Sequence, residues 1–191
     1  MKIADIYGNL PLLETNRLRL RKIKQTDIEA IFHYASQDRV SRYVTWNSHE
    51  SIRETTAFVE FILEQYKKGN ISPWGIEFKE TGEFIGTVDF VTWDPDQFTA
   101  EIGYVITPEY WGRGIVTEAV KELFRFGFTH MKLERIQARC LEANIASARV
   151  MEKAGMTYEG TLRHAIYKSG KHYNLKIYSI LRQEFDLSHN V

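Results

Sequence analysis

A single cysteine, Cys140, excludes an intramolecular disulfide, and its isolation fits a reducing compartment, so the expected location is the cytoplasm. Net charge is missing as well. Twenty-five Lys and Arg against twenty-five Asp and Glu leave no global field to recruit nucleic acid or an anionic membrane, and neither is expected as a partner. No apolar run approaches the ~20 residues of a membrane span, and the N-terminal stretch lacks the core of a signal peptide. The six histidines show no metal-ligand spacing, so no metal is expected. Internal repeats, low-complexity tracts and linkers are absent too. At 191 residues and 43% hydrophobic content, the chain has enough apolar material for one globular domain over residues 1–191.

The rest of the chain is arranged around Tyr110-Trp111-Gly112-Arg113-Gly114-Ile115-Val116-Thr117-Glu118-Ala119. Ahead of it, residues 99–106 are rich in β-branched and aromatic residues, which predicts a strand ended by Thr107-Pro108. Behind it, Val116, Ala119, Val120, Leu123 and Phe124 recur at helical spacing. Strand, glycine loop and helix form a phosphate-binding arrangement. The helix mouth offers unpaired N–H donors and positive dipole, and glycines let the backbone approach an anion. A Walker loop needs Gly, four residues and Gly-Lys-Ser/Thr, which is absent. A dinucleotide fingerprint needs a third glycine where this chain has Thr117. An ordinary strand-to-helix turn is the plain structural alternative.

Elsewhere the pattern is mixed. Leucines alternate with basic residues over 15–21, a half-exposed strand. Thr26 to Glu29 reads as a capping box before a helix through Ile28, Ile31, Phe32 and Ala35. Residues 40–48 carry Arg42, Tyr43 and Trp46 with no clean period, as in a loop. A long amphipathic helix over 50–68 stops at Gly69-Asn70. Residues 74–78 and 84–92 predict a hairpin turned at Thr81-Gly82, and the strand before the glycine loop completes an antiparallel meander. After the central helix come a strand over 135–141, a short helix from Asn144 to Gly155, and strands over 157–167 and 173–181 turned at Ser169-Gly170. The expected class is α+β, a largely antiparallel sheet of about seven strands with one strand–helix–strand crossover and about four flanking helices.

Residues from Trp111 to Val116 resemble the acyl-CoA loop of the GNAT N-acetyltransferases, Gln/Arg-x-x-Gly-x-Gly/Ala. Gly114 matches strictly, whereas Trp111 stands for Gln/Arg and Val116 for the small last residue. The Trp-Gly-x-Gly form followed by Thr-Glu-Ala looks like the Rim-type branch that acetylates ribosomal-protein N-termini, as does the Thr-x-Arg-Leu-x-Leu-Arg start. A second element agrees: the family's Asn-x-x-Ala/Ser-x-x-x-Tyr-x-x-x-Gly-Phe falls on Asn144, Ser147, Met151, Gly155 and Met156. The structural alternative for Asn144 and Gly155 is a plain helix cap at each end.

The resemblance implies a GNAT fold and acetyl-CoA as co-substrate, bound by Tyr104, Val105 and Ile106, by Trp111, Gly112, Arg113, Gly114, Ile115 and Val116, and by Asn144 and Ser147. It also implies an amine acceptor, expected to be a protein N-terminus, in a monomer or homodimer. Methionine at 151 cannot donate the proton that a family tyrosine is thought to give the CoA thiolate. Ser147, one turn earlier on the same face, is the nearest hydroxyl. For the base, Glu101 on the strand entering the loop is the candidate, directly or through water, since a carboxylate in a partly apolar cleft can have a raised pKa; a solvated strand-face residue is its plain alternative. Tyr43, Trp46 and Trp93 are the expected apolar walls of the acceptor site, with core packing as their alternative. Transfer through an acyl-cysteine at Cys140 is the rival route, although a lone cysteine in an apolar strand is more often core.

Overall fold

The computed structural model describes residues 1–189. In chain order its elements are helix α1 (Ile3–Tyr7), strands β1 (Leu13–Glu14) and β2 (Leu18–Arg21), helices α2 (Ile28–Ala35), α3 (Asp38–Ser41) and α4 (Ile52–Lys68), and strands β3 (Trp74–Phe78), β4 (Glu83–Asp94) and β5 (Thr99–Ile106). Helix α5 (Ile115–Thr129), strand β6 (Arg135–Leu141), helix α6 (Ile145–Ala154), strands β7 (Thr157–Lys168) and β8 (Lys171–Leu181) and helix α7 (Arg182–His189) follow.

The strands form one sheet of eight in the order β1-β2-β3-β4-β5-β6-β8-β7. Only β5 and β6 run parallel. Parallel neighbours need a crossover, and α5 supplies it. The two faces are separated by strand alternation. On β4, Thr87 is reached by Tyr34 of α2, while Phe90 points the other way, against Gly127 of α5. Helices α2 and α4 therefore cover one face, and α5 and α6 the other.

The α5 face holds the aromatic centre of the core. Trp74, fully buried, packs edge-on against Phe90 at 6.3 Å and Phe126 at 5.9 Å. Burying each such ring stabilises the fold by roughly 1.5–3 kcal/mol, more than any exposed ion pair supplies.

The sheet has eight strands rather than about seven because β1 is only two residues long, too short to show a period. Seven helices rather than about four occur among the described residues because α1, α3 and α7 are also short. The cap ahead of α2 differs as well. Asp27, not Thr26, accepts the backbone N–H of Lys24 at 2.7 Å and closes a 3₁₀ turn over Gln25–Asp27. Its carboxylate is held at the same time by both Nη atoms of Arg21, each at 2.8 Å. A charged acceptor with an arginine behind it outcompetes a neighbouring hydroxyl. No helix of the described residues is long and apolar enough to cross a membrane.

Candidate active site

Beyond β5 a 3₁₀ turn over Pro108–Tyr110 delivers the chain to Gly112 and Gly114, whose φ values are +74° and +73°. Side chains rarely adopt that left-handed conformation. Gly114 is the N-cap of α5 and offers no side-chain cap. The first-turn N–H groups consequently point out of the helix mouth with the positive end of its dipole. The loop is pinned from behind. Glu118 accepts from Thr15 Oγ1 at 2.5 Å and from the N and Nε of Arg17 at 3.0 and 2.6 Å, and Arg17 Nη1 donates to the Arg113 carbonyl at 3.1 Å. The Trp111 indole N–H donates to the Ile106 carbonyl at 2.9 Å, leaving its ring 47% exposed. The Arg113 guanidinium lies over the Tyr110 ring at 5.0 Å. Open helix mouth, left-handed glycines and an adjacent guanidinium fit a diphosphate.

The strand leading into this loop opens a gap. The β5–β6 ladder pairs Thr99 with Arg135 through to Ile102 with Ala138 and ends there. Residues 103–106 and 139–141 then diverge, leaving β5 backbone on that side without a strand partner. Below the divergence lies a cavity of about 410 Å³. Tyr104, Val105, Cys140, Asn144 and Ser147 line one end of it, from β5, β6 and α6, and Tyr43, Trp46, Phe58, Ile62 and Lys168 line it from the segment after α3, from α4 and from β7, with Asp89, Glu101 and Arg139 also in the wall.

At the first end, Asn144 Oδ1 accepts the backbone N–H of Ser147 at 3.1 Å and so caps α6. Ser147 Oγ lies 2.8 Å from the Tyr104 hydroxyl. Burial pushes the Tyr104 phenol well above its usual pKa, against a smaller opposing effect of Ser147. It stays protonated and remains a donor. Burial also pushes the Cys140 thiol up, with Lys176 and Ser147 opposing weakly. A protonated, 5% exposed thiol is poorly prepared for nucleophilic transfer.

Glu101 does lie in the cavity wall, but both its oxygens are engaged. Arg139 Nε donates to Oε1 at 2.7 Å and Gln137 Nε2 to Oε2 at 2.9 Å. Asp89 differs: desolvation alone raises its pKa from 3.8 to about 7. Lys168 Nζ donates to the carbonyls of Ser41 and Val44 at 2.7 Å each and of Trp46 at 3.4 Å. This ties the β7–β8 hairpin to the segment carrying Tyr43 and Trp46.

The structure thus brings Tyr43, Trp46, Glu101, Tyr104, Val105, Asn144 and Ser147 to one cavity, with Ile106 and residues 111–116 continuing from it as the loop. Trp93 is a correction. It is 6% exposed, stacks in the core against Tyr7 at 6.4 Å, and lies on the α5 face because a bulge at Val91 shifts the β4 register. Met151 is 1% exposed and packs as core. Asn174 braces the hairpin, accepting from His164 N and donating to Glu142, both at 2.9 Å. Asp89 and Lys168 escaped the sequence reading. The one signal for Asp89 was an acidic residue in an otherwise apolar strand pattern.

A family model described as an acetyltransferase (GNAT) domain matches residues 17–157. An uncharacterized N-acetyltransferase of Bacillus subtilis, YoaA, is 38% identical over 90% of this chain and 97% of its own length. Among solved structures, a GNAT-family acetyltransferase from Bacillus anthracis superposes with a TM-score of 0.82 at 29% identity, covering 91% of this chain and 99% of its own. RimL, a ribosomal-protein alpha-N-acetyltransferase in complex with coenzyme A, superposes with a TM-score of 0.79 at 20% identity, covering 90% and 98%. At that identity the likeness is one of fold.

Proposed function

The chain belongs to the GNAT acetyltransferase family, and from that premise we propose that it moves the acetyl group of acetyl-CoA directly to the N-terminal α-amine of a protein, ribosomal proteins being the first acceptors to try. In this reading the amides of residues 112–116 take the pyrophosphate, with Trp111 and Arg113 alongside. The unpaired β5 backbone from Tyr104 to Ile106 receives the pantetheine arm, and Asn144 and Ser147 stand at the departing sulfur. The amine nitrogen attacks the thioester carbonyl carbon, the C–N bond forms, and the C–S bond breaks. The amine proton leaves to a cavity carboxylate, the departing sulfur takes the Ser147 hydroxyl proton, and water carries the carboxylate's proton back to Ser147.

The observation that carries this reading is the opened β5–β6 ladder, with Tyr104 and Ser147 hydrogen-bonded across it at 2.8 Å. Support for an α-amine comes from two sides. Its pKa near ~8 leaves a useful neutral fraction, whereas a lysine near ~10.4 is almost wholly protonated. The far end of the cavity, with Tyr43, Trp46 and Phe58, suits the apolar part of a first side chain. A polyamine is disfavoured because the cavity wall carries two cations, Arg139 and Lys168, for its two carboxylates, Asp89 and Glu101, so no surplus of negative charge attracts a multivalent cation.

The test is release of CoA thiol with an Ala- or Ser-starting peptide and with spermidine at equal concentration. Preference for the peptide in kcat/KM is expected. A tenfold preference for spermidine, about 1.4 kcal/mol, reassigns the acceptor to a small amine. Tight acetyl-CoA binding with no turnover makes the chain a silent acyl-CoA-binding module, in line with Met151 and Val116. A folded but inactive Cys140→Ala points to an acyl-cysteine.

A further inference from the structure

The midpoint of β4 is irregular. Its register with β5 shifts between Phe90 and Thr92, with Val91 as the bulged residue. Bulges re-aim neighbouring side chains and are common beside active sites. Just before this one, Asp89 pairs with Gly103, the first β5 residue beyond the last β5–β6 rung at Ile102 and Ala138. A Cβ on Gly103 would come within 3.1 Å of Asp89 Oδ1 and 2.8 Å of Val91 Cγ1. The missing side chain therefore gives the carboxylate its place, beside the point where the sheet opens.

Asp89 shares the cavity wall with Glu101, Tyr104 and Ser147. Among the described residues no hydrogen bond or ion pair reaches its carboxylate. Every other charge facing it is committed. Glu101 is held by Arg139, and Lys168 by three backbone carbonyls. Tyr7 and Tyr66 feel its charge, but both phenols stay neutral, and Tyr43 and Cys140 complete the titratable lining. An unpaired, partly buried carboxylate is costly, and functional sites are where such groups persist.

We infer that Asp89, not Glu101, is the general base that takes the proton from the attacking amine. The assignment rests on the acetyltransferase reading above. An amine arriving as its ammonium first gives one proton to water and attacks as the neutral base, and Asp89 is the cavity carboxylate that has no partner among the described residues. As the C–N bond forms, the N–H proton passes to an Asp89 oxygen, the C–S bond breaks to release CoA, and Asp89 returns its proton to water before the next cycle. Desolvation, which lifts its pKa to about 7, places the base near the operating pH, where proton transfer is most effective.

The experiment compares wild type, Asp89→Asn, Asp89→Glu and Glu101→Gln by CoA release against a peptide α-amine from pH 5.5 to 9. Wild type should show an ascending limb near 7 in kcat/KM. Asp89→Asn should lose that limb and fall ~10²-fold or more at neutral pH, with the KM for acetyl-CoA within about twofold. Asp89→Glu should recover part of the rate with the limb present but displaced. Glu101→Gln should keep the limb near 7, whatever happens to its KM. An active Asp89→Asn with the wild-type profile overturns the assignment and leaves the acetyltransferase reading intact. Wild-type protein that binds acetyl-CoA yet acetylates no amine overturns the reading itself. A second measurement stands apart from turnover: carboxyl carbon NMR of aspartate-labelled protein should show one group titrating near 7, lost in Asp89→Asn. Its absence also overturns the assignment.

Discussion

The hydroxyl of Tyr104 on β5 and that of Ser147 on α6 lie 2.8 Å apart, although the ladder that would join β5 to its neighbour has already ended two residues earlier. The bond spans the gap. The phenol also donates to the Ser147 carbonyl at 3.2 Å, and the two contacts together hold the serine hydroxyl at the cavity, where it can turn toward a departing sulfur. Ser147→Ala should therefore lower kcat toward the lower end of the ~10²–10⁴ range for a lost proton donor, and raise the KM for acetyl-CoA less. Tyr104→Phe removes both phenol contacts to Ser147 and should cost up to about tenfold. Steady-state CoA release measures both. A Ser147→Ala enzyme within about twofold of wild type would remove the serine from the chemistry.

Gly114 tests the phosphate site. Its φ of +73° is strained for any β-branched residue, and the new side chain would project at the open mouth of α5. Gly114→Val should abolish detectable acetyl-CoA binding by calorimetry while the protein still melts cooperatively. Unchanged affinity in that folded variant would take the loop out of the reading.

How far these sites could be read from the sequence depended on whether each was local. Gly112 and Gly114 announce themselves because a left-handed turn ahead of a helix leaves a glycine signature. Asn144 and Ser147 sit at fixed spacing within one helix start. Trp93 could not be placed, because one bulged residue at Val91 turns every later β4 side chain to the opposite face. Glu101 reads as a candidate base because nothing in its neighbourhood in sequence shows that Arg139 and Gln137, 38 and 36 residues away, take its oxygens. Among the described residues Asp89 has no hydrogen-bond or ion-pair partner, and an unmade contact leaves no pattern. The short elements β1, α1 and α3 fall below the length at which a period can be counted.

Asp89 should also cost the protein stability. Its carboxyl pKa rises from 3.8 to about 7 on folding, so between those values the folded state binds more protons than the unfolded one. Stability accordingly falls as pH rises through that window, and the full penalty stands above it. Three pKa units correspond to at most ~4 kcal/mol, and partial exposure reduces this to roughly 1–3 kcal/mol. Asp89→Asn should raise Tm by several degrees at pH 8 and change it little at pH 4, at ~2–4 °C per kcal/mol for a chain of this size. Equal melting curves for the two proteins at pH 8 would mean that the carboxylate is solvated in the folded protein.

Lys168 carries the last expectation. Its ammonium donates to the carbonyls of Ser41, Val44 and Trp46, and those residues bracket the segment that sets Tyr43 and Trp46 against the cavity. Burial lowers its pKa, yet at neutral pH the three carbonyl acceptors still face a charged donor. Hydrogen bonds to a charged group contribute about 1.5–3 kcal/mol when buried, and the partial exposure here places the effect at or below the low end. Lys168→Met keeps the apolar stem and deletes the donor. The segment should loosen, Tm should fall by a few degrees, and the KM for the acceptor should rise severalfold, while the KM for acetyl-CoA, whose proposed site is built from β5, the glycine loop and α6, should hold. Lys168→Arg is not expected to rescue it, because a planar fork cannot replace a compact ammonium among three converging carbonyls. Peptide and acetyl-CoA saturation curves on the two variants decide the matter. A rise confined to the acetyl-CoA KM would place the strap on the co-substrate side and break the link drawn here between Lys168 and the acceptor wall.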